Sequence, residues 1–334
     1  MLGITLVSFA FLGSKPEADS GLTPSEEMAR KINENPRSTW KAEASPYHQD
    51  FETRRKMFNL IIDEVGEEFD DAPDHGLQGV ELPENFDPRE AWPKCESIRE
   101  IRDQSGCGSC WAFGASSAMS DRICVASKQK DQRRISSEDV LECCKGCGMG
   151  CNGGWLSPTW YNWKYFGFVT GSLYDNKDWC KSYKFPPCNH HSKGPYEDCS
   201  KYRFDSPKCE KSCSNSNYKK SYSQDKIKAS KIYTVRSEEK IMQELMTNGP
   251  METAFTVFED FILYKSGVYQ HQEGKFLGGH AVKMMGWGVE DGVKYWLIAN
   301  SWNNSWGDNG YFKILRGKDH CGIEASVIGG LPQL

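Results

Sequence analysis

Residues 104–114 read "QSGCGSCWAFG" and place two cysteines, three glycines and a tryptophan in one short stretch. A nucleophilic cysteine must be a thiolate at working pH, which calls for a helix N-terminus or a cationic partner. Cys110 stands where a helical pattern begins, with Trp111, Ala115, Ala118, Met119 and Ile123 at steps of three and four. Gly106 and Gly108 leave the approach to its sulfur open, and the dipole of the following helix favours negative charge there. The competing reading is a packed or disulfide-bonded thiol, the usual state of a lone buried cysteine. The chain holds 14 cysteines, so the choice needs the rest of the sequence.

The 334 residues suffice for one large core or two smaller ones. A net charge of −5 lacks the basic footprint of a nucleic-acid binder, and no apolar run approaches the ~20 residues of a membrane span. Residues 1–14 hold a short apolar stretch from Leu2 to Leu12 followed by small and polar residues, the pattern of a secretory signal without its basic start. Abundant cysteine supports that reading, since disulfides persist in oxidising compartments. We therefore expect a lysosomal or secreted protein.

Residues 15–75 contain no cysteine and carry two helical patterns, "PSEEMARKINENP" at 24–36 and "DFETRRKMFNLIIDEVGEEFDD" at 50–71. Phe58, Ile61, Ile62 and Val65 share one face of the second. From "LPENFDPREAWPKC" (82–95) cysteine, glycine and tryptophan become frequent. This break marks residues 15–81 as a pro-segment and 82–334 as the mature domain. Ser136 with Asp139 opens a short helix in capping-box fashion, and "SEEKIMQELMTNGP" (237–250) is a further helix stopped by Gly249-Pro250. Beyond residue 251, "METAFTVFE", "GHAVKMMGWGV", "VKYWLIANSW" and "GYFKILRG" alternate apolar and polar positions between glycine turns, as antiparallel strands do. Helices first and strands second argue for an α+β fold of two packed units. Residues 171–226 are too long for an unsupported loop and are expected to be stapled by disulfides.

A histidine must take the proton of Cys110 and return it to the leaving amine. His280, behind Gly278 and Gly279, is the candidate that leaves room for a substrate backbone. "CGSCWAF" (107–113) resembles the nucleophile motif of papain-like cysteine peptidases, which have His and Asn roughly 130–150 residues downstream. Here "GGHAV" (278–282) and "YWLIANSWNNSWGDNGYF" (295–312) come later. "PPCNHHSKGPYEDC" (186–199) accounts for the excess and resembles the occluding loop of the cathepsin B type, about residues 186–201. "DRIC" (121–124), "CNGG" (151–154), "KSGVYQH" (265–271), "GWGVE" (286–290) and "LRGKDHCGIE" (315–324) extend the likeness over the mature region.

The resemblance implies a papain-like fold, with a helical left domain, an antiparallel β-barrel-like right domain and the active-site cleft between them. It implies Cys110 as nucleophile and His280 as its imidazolium partner. Asn300 orients the His280 ring, and Trp302 shields that contact. The Gln104 side chain and the Cys110 N–H form the oxyanion hole. Gly153 and Gly154 offer a bare edge to an extended peptide, with Trp155, Leu156, Ala254, Ala281 and Ser326 around the P2 subsite. Setting Cys110 aside leaves an odd number of cysteines, so at least one stays free. The implied bridges are Cys95–Cys124, Cys107–Cys151, Cys143–Cys209, Cys144–Cys147, Cys180–Cys213 and Cys188–Cys199, with Cys321 free and buried. A zinc cluster in "CCKGCGMGC" (143–151) is the rival reading of the close-set cysteines, and a disulfide-rich binding module the rival class. No cofactor or metal is implied. The expected partners are protein and peptide substrates, the chain's own pro-segment and cystatin-type inhibitors, and the expected state is a monomer.

Four positions depart from the cathepsin B pattern. In that type, loop histidines receive the substrate's C-terminal carboxylate and make the enzyme a peptidyl-dipeptidase; His190 and His191 keep this contact. An ion pair of His190 with Asp103 is kept, but Tyr196 and Ser305 stand where a second pair joins Arg to Asp. The loop is therefore expected to be held less tightly. Ser326 replaces a Glu that accepts Arg at P2, which predicts an apolar preference there. Ser105-Gly106 stands where the family commonly has Gly first. "NNS" at 303–305 is a glycosylation sequon expected to remain unmodified beside the active site.

Overall fold

A computed structural model describes residues 21–47, 58, 60, 61, 69–77 and 79–334. The expected signal segment lies outside these residues, as do Ile62 and Val65.

The helix Cys110–Ala126 is buried on every side from Cys110 to Cys124, so its sequence shows no polar face. It packs most closely on the strand Phe276–Glu290 (β5). A buried ion pair, Lys283 Nζ to Asp121 Oδ2 at 2.8 Å, crosses that contact. Arg122 leaves the same helix to donate to the carbonyls of Pro250, Gly249 and Gly330 and to pair with Glu244 at 2.9 Å. Ser136 caps the helix Ser137–Cys143 by accepting the Asp139 N–H at 3.0 Å. Its own N–H goes to the Val169 carbonyl, so only half of the capping box forms. The helix Glu238–Asn248 ends at Gly249, whose φ of +90° suits glycine.

The strands make one eight-stranded sheet in the order β1-β4-β7-β6-β5-β3-β8-β2. These are Trp40–Ala42 (β1), Ala229–Val235 (β2), Met251–Phe258 (β3), Tyr264–Tyr269 (β4), β5, Val293–Ala299 (β6), Tyr311–Leu315 (β7) and Val327–Pro332 (β8). The sheet is not closed into a barrel: its strand order is open, and β4 runs parallel to β7 where the rest pair antiparallel. The α+β class stands. One apolar cluster fills the β-rich half around Trp302, Trp306 and Phe312, and a second fills the helical half around Trp111, Trp160 and Trp163.

The pro-segment wraps this body. Its helix Pro24–Glu34 opens with a full capping box between Thr23 and Glu26, and β1 pairs with β4. The expected second helix does not include Phe58, Leu60 or Ile61. There the Leu60 N–H donates to Gly279 O at 3.2 Å and the Ile61 N–H to Gly154 O at 3.1 Å. Backbone donors given to neighbouring segments are not available to a helix. Further on, Asp70 pairs with Lys164 at 2.7 Å and His75 with the buried Glu244 at 2.6 Å.

Six disulfides join Cys95–Cys124, Cys107–Cys151, Cys143–Cys209, Cys144–Cys147, Cys180–Cys213 and Cys188–Cys199. They consume every cysteine of the 143–151 segment; Cys143–Cys209 ties residues 171–226 to the helical half, and Cys180–Cys213 and Cys188–Cys199 close that segment on itself. Cys321 is free as expected, but only partly buried rather than buried.

Candidate active site

Cys110 is the first residue of its helix, follows Ser109, and is fully buried. The backbone N–H groups of Ala281, Trp111 and Cys110 itself favour its thiolate. Burial outweighs them and pushes the thiol up to about 12. His280 lies within β5 opposite Phe255 and is equally buried. Its Nε2 is 2.8 Å from Asn300 Oδ1. That oxygen also accepts the Ser301 N–H at 2.8 Å, which fixes the amide with oxygen towards the ring. The neutral ring therefore carries its proton on Nε2. His280 Nδ1 has no hydrogen-bond partner among the described residues. Burial lowers His280 to about 4, against the raising effect of Asn300.

Trp302 is the platform of the site. Its ring stacks on His280 at 5.0 Å and on His190 at 5.9 Å, and meets His191 edge-on at 5.4 Å. Gln104 is fully buried with its amide oriented: Oε1 accepts from Ser301 Oγ at 2.7 Å and Nε2 donates to Cys107 O at 2.9 Å.

Pro-segment residues occupy the cleft. Phe58 is packed edge-on to Trp302 at 5.5 Å and to His280 at 5.8 Å, and stacks at 6.5 Å from His191. A Cβ on Gly278 would lie 2.0 Å from the Phe58 carbonyl, so the glycine is what admits the chain. Leu60 joins the apolar cluster that contains Leu156, Ala254 and Ala281. Ala254 and Ala281 face each other across β3 and β5. Ser326 precedes β8, whose Ile328 pairs with Glu252. Gly153 and Gly154 form the opposite edge, where a Cβ on Gly154 would press 2.7 Å from the Trp111 ring. Trp155 follows, half-buried. The sequence reading missed Phe58 and Leu60 as cleft residues; their spacing of two, proper to an extended chain, was the available signal.

The loop at 186–201 is held at its root. His190 Nε2 lies 2.8 Å from Asp103 Oδ1, and the Cys188 N–H donates to Asp103 Oδ2 at 3.1 Å. Asn303 Nδ2 donates to Asp103 Oδ2 at 2.8 Å and to Cys188 O at 2.7 Å. With Asn303 thus buried and engaged, its sequon is poorly placed for modification. Tyr196 is exposed, and with Ser305 it lines a cavity of about 380 Å³ where the second ion pair is missing. Asn303 and the Ser301 hydroxyl were not picked out from the sequence.

Residues 82–331 match the model of the papain family cysteine proteases. The chain is 54% identical to a cathepsin B-like cysteine proteinase 6 of Caenorhabditis elegans over 76% of its length and 68% of the relative's. It is 44% identical to a cathepsin B-like cysteine proteinase of Schistosoma japonicum, over 92% of this chain and 90% of that one. Among solved structures it is similar to procathepsin B S9 from Trypanosoma congolense, with TM-score 0.80, 35% identity, and coverage of 93% of this chain and 98% of that one. The proform of a Tenebrio molitor digestive procathepsin L2 shares the fold at TM-score 0.67 and 23% identity, covering 92% of this chain and 89% of that chain. The chain belongs to the papain family of cysteine proteases and, within it, is of the cathepsin B-like type.

Proposed function

We propose that the mature region releases dipeptides from free C-termini, also cuts internal bonds, and prefers an apolar residue at P2. The observation that carries this is the pair His190–His191, held against the Trp302 platform beside His280. An imidazole N–H there would donate to a substrate carboxylate two residues past the scissile bond. The apolar character of Leu156, Ala254 and Ala281, which belong to the same buried apolar cluster as Leu60, supports the P2 preference.

In this reading His280 Nδ1 removes the Cys110 proton and the thiolate attacks the scissile carbonyl. The oxyanion meets the Gln104 amide and the Cys110 N–H, groups that need no rearrangement to receive it. The imidazolium then protonates the leaving amine. Water, activated by the same ring, hydrolyses the thioester. The pro-segment inhibits twice: it fills the cleft, and by excluding water it disfavours both charged partners. The disulfides fit a route through the secretory pathway to lysosome or exterior.

The test uses acid-processed protein and one decapeptide with apolar P2, made with free and amidated C-termini. Stepwise loss of two residues from the free form, with weaker internal cuts in both, is the expected pattern. Equal internal cleavage of both forms without dipeptide release would defeat the proposal.

A further inference from the structure

The segment after Gln104 touches both ends of the disulfide-closed loop. Ser105 is fully buried at φ +58°, a conformation a serine adopts only when its surroundings fix it. Its N–H donates to Asp103 Oδ1 at 2.7 Å and its hydroxyl donates to the Pro186 carbonyl at 2.6 Å. Pro186 is the residue at which the loop departs. At the next position, a Cβ on Gly106 would lie 2.9 Å from the carbonyls of both Cys199 and Tyr202, where the loop returns. The order Ser105-Gly106 is thus required by the loop: the hydroxyl ties down its entry, and the bare glycine lets its exit pack. Asp103 completes the arrangement by accepting from His190, the Cys188 N–H and Asn303.

We propose that Ser105 is a positioning residue that clamps the root of the 186–201 loop to the oxyanion segment, so that its hydroxyl helps set the balance between dipeptide release and internal cleavage. It holds the loop at Pro186, where the chain enters the loop, independently of Tyr196 and Ser305. The functional half of this statement rests on the dipeptidase reading above; the clamp itself does not.

Two variants isolate the hydroxyl: Ser105→Gly, which suits the positive φ, and Ser105→Ala, which keeps the Cβ. Hydrogen exchange over residues 186–201 of the processed enzyme reads the clamp directly. Loss of one neutral hydrogen bond is expected to raise exchange there about fivefold, with the helix Cys110–Ala126 unchanged. The ratio of dipeptide release to internal cleavage should fall by a similar factor while internal cleavage is retained. Unchanged loop exchange in both variants overturns the clamp, whatever the activities do. A parallel fall in both activities without faster exchange also overturns it, leaving Ser105 as a prop for Gln104 alone. A wild-type enzyme that releases no dipeptides defeats the earlier reading, while the exchange result still decides for or against the clamp.

Discussion

Phe58→Ala in the intact zymogen is the most informative perturbation of the inhibited state. Phe58 is 2% exposed and packs against His191, His280 and Trp302. Truncating a phenylalanine packed this way costs about 3–5 kcal/mol, since the transfer energy and a cavity term add. The cavity here would open directly onto the His280 ring. Because Phe58 belongs to the pro-segment, the cost falls on the covered state and shifts the equilibrium towards the uncovered one. At 1.4 kcal/mol per tenfold, the uncovered fraction rises on the order of 10²–10³-fold. The pro-segment keeps its other ties, Asp70 to Lys164 and His75 to Glu244, so it loosens over the cleft without leaving the body. The assay is hydrolysis of a small fluorogenic peptide by freshly purified zymogen at neutral pH, with a gel confirming that the chain is uncut. A leak within threefold of the parent would refute the assignment of Phe58 as the plug.

Other expectations follow from buried charge and from the subsite. Burial and the charge of Glu142 hold the Glu138 carboxyl up to about 7, so the folded chain keeps a proton that the unfolded chain releases above about 4.5. Glu138 therefore costs stability progressively as pH rises from about 4.5 through 7. Glu138→Gln should match the parent at pH 4 and exceed it by up to about 3 kcal/mol at pH 8, measured by denaturant unfolding. The opposite pH trend would contradict this. Lys283→Met leaves Asp121 charged, buried and unpaired, and should cost about 3–5 kcal/mol; pairing it with Asp121→Leu should recover most of the loss. Equal loss in the single and double variants would argue against the ion pair as the cause. Ser326→Glu should raise cleavage after an Arg-containing P2 about tenfold or more relative to Phe at P2, by supplying a counter-charge. An unchanged ratio would remove Ser326 from the P2 subsite.

Much of this was legible before any coordinates. The helix at Cys110, the helix stopped by Gly249 and strands β3, β5, β6 and β7 follow from local periodicity and turn residues, which local sequence encodes. The short strand β1 and strands β2, β4 and β8 did not, because pairing with distant partners, not pattern, makes them strands. Phe58, Leu60 and Ile61 show the same limit more sharply. Phe58 and Ile61 suit a helical face, yet Gly154 and Gly279 take the backbone donors of Ile61 and Leu60. At the site, Cys110, His280 and Asn300 were readable because their motifs are compact. The contacts made by Ser105, Asn303 and Tyr183 were not, since each acts through a carbonyl or carboxylate that the fold brings from elsewhere. Tyr183, for example, donates its hydroxyl proton to Gln104 O at 2.8 Å from a loop far along the chain.

The central claim is that Cys110 is the nucleophile, paired with His280 and silenced by the pro-segment. Alkylation by iodoacetamide at pH 5–6, followed by peptide mapping, tests it before and after acid processing, with Cys321 as the internal control. The account predicts a protected Cys110 in the zymogen, where burial holds it as a thiol. After processing it predicts rapid modification of Cys110 ahead of Cys321, with activity lost in proportion. Activity that survives full modification of Cys110 would contradict it.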